Sequence, residues 1–158
     1  MAYLYVWSPN DDSWGHASLL LEISQVYISW WPKDDKSKYK KKKKKVDAKD
    51  ELPDSYDEDV DDYNGREATH KFYINENKIK ANTVEEWWRR TKGRGGYHLF
   101  GRNCCDVVYA ALEVGGCYDW VHPGVKVVST PRHMIRYGQA LENAEEKDGN
   151  PFRGFVIR

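Results

Sequence analysis

Two stretches of this chain carry residues that can do chemistry. "GRNCCDVVYAAL" (101–112) sets Cys104 and Cys105 side by side behind an Arg-Asn pair, and "SWGHASLLL" (13–21) sets His16 after a glycine. A thiol at the start of a helix faces unpaired N–H groups and the positive end of the dipole. It ionises more readily there, and the thiolate is the nucleophile. The same N–H groups can hold the oxyanion of an attacked acyl group. Asn103 is a good N-cap and makes Cys104 the first helical residue. A cysteine nucleophile needs a base, usually histidine, steadied by a third polar group. Of the five histidines, His16 stands out, because it opens a strand whose following residues are apolar enough to be central in a sheet. His70, His98, His122 and His133 read as solvent-face, approach-strand or loop residues. The plain alternative is that Cys104 is a small buried hydrophobe, and Cys105 and Cys117 keep that reading. No C-x-x-C or paired His–Cys spacing is present, so no metal site is expected.

These residues need elements to position them. "YLYVW" (3–7) reads as a strand. "HASLLLEI" (16–23) and "VYISWW" (26–31) read as a hairpin turning at Ser24-Gln25, with Pro32 ending its second strand. "EATHKFYIN" (67–75) resumes strand-like alternation. "NTVEEWWRR" (82–90) carries helix signals, with Asn82 or Thr83 as cap and acids in the first turn. The cysteine helix runs to about 114 and stops at Gly115-Gly116. A short helix follows Pro131, and "FRGFVIR" (152–158) reads as a final strand. The fold class expected is α+β: an antiparallel sheet of the strands near 3–7, 16–23, 26–31 and 68–75 and the tail, packed against the cysteine helix and the helix near 83–91. Trp14, Trp30, Trp31, Trp87 and Trp88 are candidates for lining a cleft, with core packing as the plain alternative.

Length and composition bound the rest. The 158 residues suit one domain, 1–158, and 40% apolar content suits one core. Residues 33–65 change character, with a basic half, "KDDKSKYKKKKKKVDAK", and an acidic half, "DELPDSYDEDVDDYNG". Blocks of like charge repel and bury little, so this segment reads as a solvated, charged low-complexity insertion. Formal net charge is zero, so no global field draws the chain to nucleic acid. No window reaches membrane-span length, and the N-terminus lacks the pattern of a signal peptide. A cytoplasmic protein, or one delivered into a target cell without a signal peptide, is expected. Oligomeric state is not legible.

"WGHASLLL" followed much later by "YHLFGRNCCDVVYAAL" resembles the circularly permuted papain-fold cysteine hydrolases, the NlpC-like superfamily that includes the lecithin:retinol acyltransferase-like proteins and the PPPDE peptidases. Permuted members carry Gly-His on an early strand and Asn-Cys at the start of a later helix. The resemblance implies Cys104 as nucleophile, or Cys105 should the helix begin one residue later, and His16 as base. It implies an orienting group from the strand after the histidine, where Ser29 carries the hydroxyl and Trp31 lies nearby. Asn103 and Arg102 are the neighbours expected to help hold an oxyanion, and Trp31 to meet substrate. The implied activity is hydrolysis of an amide or peptide bond through an acyl-enzyme, without a cofactor, on a protein or peptide substrate. A toxin or effector module fits such a domain. The alternatives are an inactive peptide-binding module, or an acyltransferase or lipid acyl hydrolase on the same scaffold.

Overall fold

The computed structural model describes residues 1–11, 13–32, 45–46, 51–92, 94–98, 102–123, 129–145 and 155–156. Alternating apolar and aromatic residues build a four-stranded antiparallel sheet: β1 (Ala2–Trp7), β2 (His16–Leu21), β3 (Val26–Ser29) and β4 (His70–Ile74), in the order β3-β2-β1-β4. Among the described residues the sheet is joined by four α-helices: α1 (Tyr56–Asp62), α2 (Ala81–Thr91), α3 (Cys104–Val114) and α4 (Pro131–Asn143). The chain is therefore α+β. The tail departs from expectation, because Phe155–Val156 leaves the main sheet and pairs in parallel with Val121–His122. A second small pairing joins Lys45–Val46 to Tyr97–His98.

The pleat sorts side chains strictly, since register partners share a face. Leu4 pairs with Leu19 and Phe72, and Leu19 with Ile28. This face is buried under helices. Gly138 of α4 comes so close to Phe72 and Leu4 that a Cβ there would stand 2.3 Å from the Phe72 ring. Tyr109 of α3 meets Tyr137 of α4 with ring centroids 5.1 Å apart. The opposite face carries Tyr5, Trp7, His16, Ser18, Tyr27 and Ser29, by the pairings Trp7↔His16, Ser18↔Ser29 and Leu20↔Tyr27. It is covered by α1, whose Tyr56 ring lies tilted against Tyr5 at 4.4 Å and stacks on Trp7 at 5.8 Å.

That covering overturns one expectation. The acidic half of the 33–65 segment is not a solvated run: Leu52, Asp59 and Tyr63 are buried, and α1 lies within it. The reason is local. Ser55 caps the helix by accepting from the Glu58 N–H at 3.3 Å, and the Glu58 carboxylate accepts from the Asp54 N–H at 2.8 Å. Tyr56 and Val60, partly buried, and buried Tyr63 then line one side at helical spacing. The basic half, apart from Lys45 and Val46, lies outside the described residues. In α2 the expected cap is also displaced. The helix starts at Ala81 with Lys80 before it and no side-chain cap, so Asn82 and Thr83 fall inside the first turn.

Candidate functional site

His16 is the first residue of β2, and Gly15 fixes how the chain arrives there. Gly15 has φ of +84° and packs against the Trp7 carbonyl and the Pro131 ring, where a side chain would clash with both. His16 is 1% exposed, and its ring lies between aromatic walls. Trp31 stacks on it at 4.0 Å and 19°, and Trp7 stands 5.3 Å away. Its Nε2 faces the Ser29 hydroxyl at 3.0 Å and the Asp59 carboxylate at 3.3 Å. That leaves Nδ1 as the nitrogen available to the cysteine.

Asp59 is the residue the sequence reading missed. It comes from α1, is fully buried, and accepts four hydrogen bonds. Oδ1 takes Ser29 at 2.8 Å and Trp31 Nε1 at 2.5 Å, and Oδ2 takes Tyr27 at 2.7 Å and His16 Nε2 at 3.3 Å. Burial alone pushes a carboxyl's pKa up. The His16 charge and these donors outweigh it, so Asp59 stays ionised below the usual carboxylate range. Ser29 thus lies where expected, beside His16, but it stands between the ring and an acid. The sequence did carry a signal for that acid: the S-x-x-E cap at Ser55–Glu58 and the apolar spacing Tyr56, Val60, Tyr63, which together phase Asp59 inward.

Cys104 arrives from the other side. Asn103 caps α3 in a full capping box: its side chain accepts from the Asp106 N–H at 3.0 Å, and Asp106 accepts from the Asn103 N–H at 3.2 Å. This sets Cys104 at the first helical position. Its thiol is held well below the ordinary range. The hydrogen bond from the Cys105 thiol contributes most, burial opposes it, and the His16 charge, the His16 hydrogen bond and the Ala17 N–H add to the lowering. His16 answers in the opposite sense. Burial pulls it down, yet Asp59 and Cys104 raise it to about 9. The two shifts describe a thiolate–imidazolium pair with a carboxylate behind the ring. Cys104 retains 5% exposure. Cys117 behaves as a structural thiol, buried and pushed up to about 12.

Tyr97 also reaches the sulfur. Its buried hydroxyl donates to Cys104 Sγ and accepts from the Cys104 N–H, and burial followed by the thiolate's charge raises it well above its usual value.

The remaining expected residues stand elsewhere. Asn103 spends its side-chain oxygen on the cap and its Nδ2 on the Ser129 carbonyl at 3.1 Å, so its amide is not aimed at the sulfur. Arg102 turns away, with one guanidinium nitrogen on the Arg94 carbonyl at 2.5 Å and its centre 5.1 Å above the Trp30 ring. Trp31 braces His16 and Asp59 where substrate contact was expected. Trp30 and Trp88 are buried core residues, Trp87 is half-buried, and Trp14 is 58% exposed. His70 stacks on Phe72, and His122 and His133 are exposed; the side chain of His98 lies outside the described residues. Among the described residues no cluster of acids, histidines and cysteines could hold a metal ion. No helix among them is long and apolar enough to cross a membrane.

Comparison with known proteins gives no match among curated proteins and none among solved structures. The IcsB middle domain family matches residues 1–83. The matched stretch contains His16, Ser29, Trp31 and Asp59 and ends before Cys104. It covers more than half of the 158 residues, and the chain belongs to the IcsB middle domain family.

Proposed function

We propose that this protein is a cysteine hydrolase of amide or peptide bonds, with Cys104 as nucleophile, His16 as base and Asp59 as the group that orients and charges the ring. The observation that carries the reading is His16 held between the buried Asp59 carboxylate and the Cys104 sulfur. The thiolate attacks the carbonyl carbon, and the imidazolium gives its proton to the leaving amine. Water, deprotonated by the neutral ring, then releases the acyl group. An amine or alcohol in place of that water would make the same acyl-enzyme a transferase, so hydrolysis is the reading for water as acceptor. The order of parts, histidine strand before cysteine helix, supports a permuted papain-like topology.

A thiol-directed acyl probe tests this. Cys104→Ala should abolish labelling, while Cys105→Ala, which removes a hydrogen bond to the Cys104 sulfur, should slow it without abolishing it, with the bound mass mapped to residue 104 by peptide mass spectrometry. Unchanged labelling of Cys104→Ala would refute the assignment. The family match also supports the effector reading, with action inside a target cell. A reporter fused to the chain that never crosses into co-cultured cells would count against it.

A further inference from the structure

Four polar side-chain atoms are buried without a hydrogen-bond partner among the described residues: Glu22 Oε2, Trp30 Nε1, Ser129 Oγ and Tyr137 Oη. Glu22 follows the end of β2 remote from His16, Trp30 packs against the Trp88 ring beneath Arg102, and Tyr137 packs between α4 and α3 against Tyr109. Ser129 alone stands beside the proposed site. Its carbonyl accepts from Asn103 Nδ2 at 3.1 Å, and Asn103 immediately precedes Cys104. Two residues on, Pro131 Cγ lies 2.8 Å from where a Cβ on Gly15 would stand, and Gly15 immediately precedes His16. One short segment thus touches the neighbours of both reacting residues. Thr130 within it is extended, with φ −130° and ψ 158°. The side chains of Ser129 and Pro131 therefore leave it on the same side. The Ser129 hydroxyl faces the His16 end of β2 from the Cys104 end of α3. Ser129 is 2% exposed. A buried hydroxyl without a partner costs stability, so its retention calls for a use.

We infer that Ser129 holds the water that releases the acyl group from Cys104. The inference rests on the acyl chemistry proposed above. After acylation the leaving group has taken the His16 proton, and Nδ1 is free to accept. The attacking water must then meet the acyl carbon on Sγ, Nδ1, and a group that fixes its remaining O–H. Ser129 Oγ is that group. As the water oxygen bonds to the carbonyl carbon, one water proton passes to Nδ1 and the C=O π pair moves to oxygen. The other water O–H donates to Ser129 Oγ, and no proton enters or leaves Ser129. The oxyanion pair then re-forms the carbonyl, and the C–S bond breaks with its pair on sulfur. The products are the free acid and the restored thiolate–imidazolium pair. A group of this kind acts on release and not on acylation, whose reacting atoms it does not touch.

Ser129→Ala separates the two steps. With p-nitrophenyl acetate, the p-nitrophenolate burst that reports acylation should stay within about twofold, while the steady rate that reports release should fall about tenfold, the equivalent of one hydrogen bond. Hydroxylamine, a stronger nucleophile that needs no held water, should release the acyl group from Ser129→Ala as fast as from the parent. The urea midpoint should not fall, because removing an unpartnered hydroxyl gives up no bond. An unchanged steady rate overturns the inference. So does an equal loss in burst and steady rate, or a release that hydroxylamine does not restore, because damage to the shape of the site slows every reaction there. A lowered midpoint, or a chain that no longer folds, overturns it as well, by showing that the hydroxyl serves the fold. A parent with no burst, or a burst that survives in Cys104→Ala, sinks the hydrolase reading instead, and each is read without Ser129→Ala.

Discussion

One face of the sheet is built to exclude water and the other to hold charge. Under α3 and α4 lie Leu4, Leu19, Ile28 and Phe72, apolar and almost without exposure. Under α1 lie His16, Tyr27, Ser29 and Trp31, gathered on one carboxylate, with Ser18 bonded to the Tyr27 hydroxyl. Both faces are buried, yet by different physics. The first needs only area removed from water, at about 25 cal/mol per Å². The second must satisfy each polar atom, because a buried charge left unpaired costs several kcal/mol. His16 is where they meet: Asp59 reaches it from the α1 side, and Cys104 reaches it from the helix α3 that packs on the apolar side.

Asp59→Asn should break the polar face hardest. It keeps the shape and removes the charge that His16 and three other donors share. We expect a stability loss of about 3–5 kcal/mol, read as a lower urea midpoint at unchanged slope. The imidazolium would lose its counter-charge, and the Cys104 thiol would move back up towards its ordinary value. Alkylation at pH 6 should then slow on the order of 10²-fold, because each tenfold fall in the thiolate population needs only about 1.4 kcal/mol of lost charge interaction. An Asp59→Asn protein with parental stability and parental reactivity at pH 6 would remove Asp59 from the site.

Leu4→Ala probes the apolar face. It should cost about 2–5 kcal/mol through lost burial and a cavity beside Phe72. That is comparable in stability to the Asp59 change, but the pH dependence of Cys104 alkylation should not move. A shifted profile in Leu4→Ala would show that the two faces are not separable.

The same division decides what could be read from the sequence. Strand β2 and helix α3 were legible, because apolar periodicity and the Asn103 cap are local signals. His16 and Cys104 were singled out for the same reason, each at the start of a readable element. Asp59 was not. It is one acid among many in "DSYDEDVDDY", and composition there says solvent. Which acid turns inward depends on helix phase and on donors from β3 more than twenty residues away. Arg102 and Asn103 failed as oxyanion groups because their partners, Arg94 and Ser129, are tertiary neighbours that no local pattern names.

The pH dependence of the parent protein sharpens the polar face further. Cys104 is held below its ordinary thiol value, so alkylation should already be near its plateau well below pH 9. His16 is raised above 6.5 to about 9, so the imidazolium persists up to that point and is lost as pH rises through it. Cleavage of an amide-type anilide, which needs that proton for its leaving group, should therefore decline as pH passes about 9 while alkylation does not. Parallel profiles for the two reactions would mean that His16 does not supply the proton.

Ser29→Ala should have the smallest effect, and it tests whether the hydroxyl or the carboxylate governs the ring. Ser29 donates to Asp59 Oδ1 and stands 3.0 Å from His16 Nε2. Without it, the Nε2–H keeps Asp59 Oδ2, and Oδ1 keeps Trp31. Every buried polar atom in the cluster still has a partner, so the loss should be near one ordinary hydrogen bond, about 1 kcal/mol. Alkylation at pH 6 should change by no more than about fivefold, the rate equivalent of that energy. A loss as large as that of Asp59→Asn would reverse the order, making the serine the group that orients His16 and the aspartate only its support.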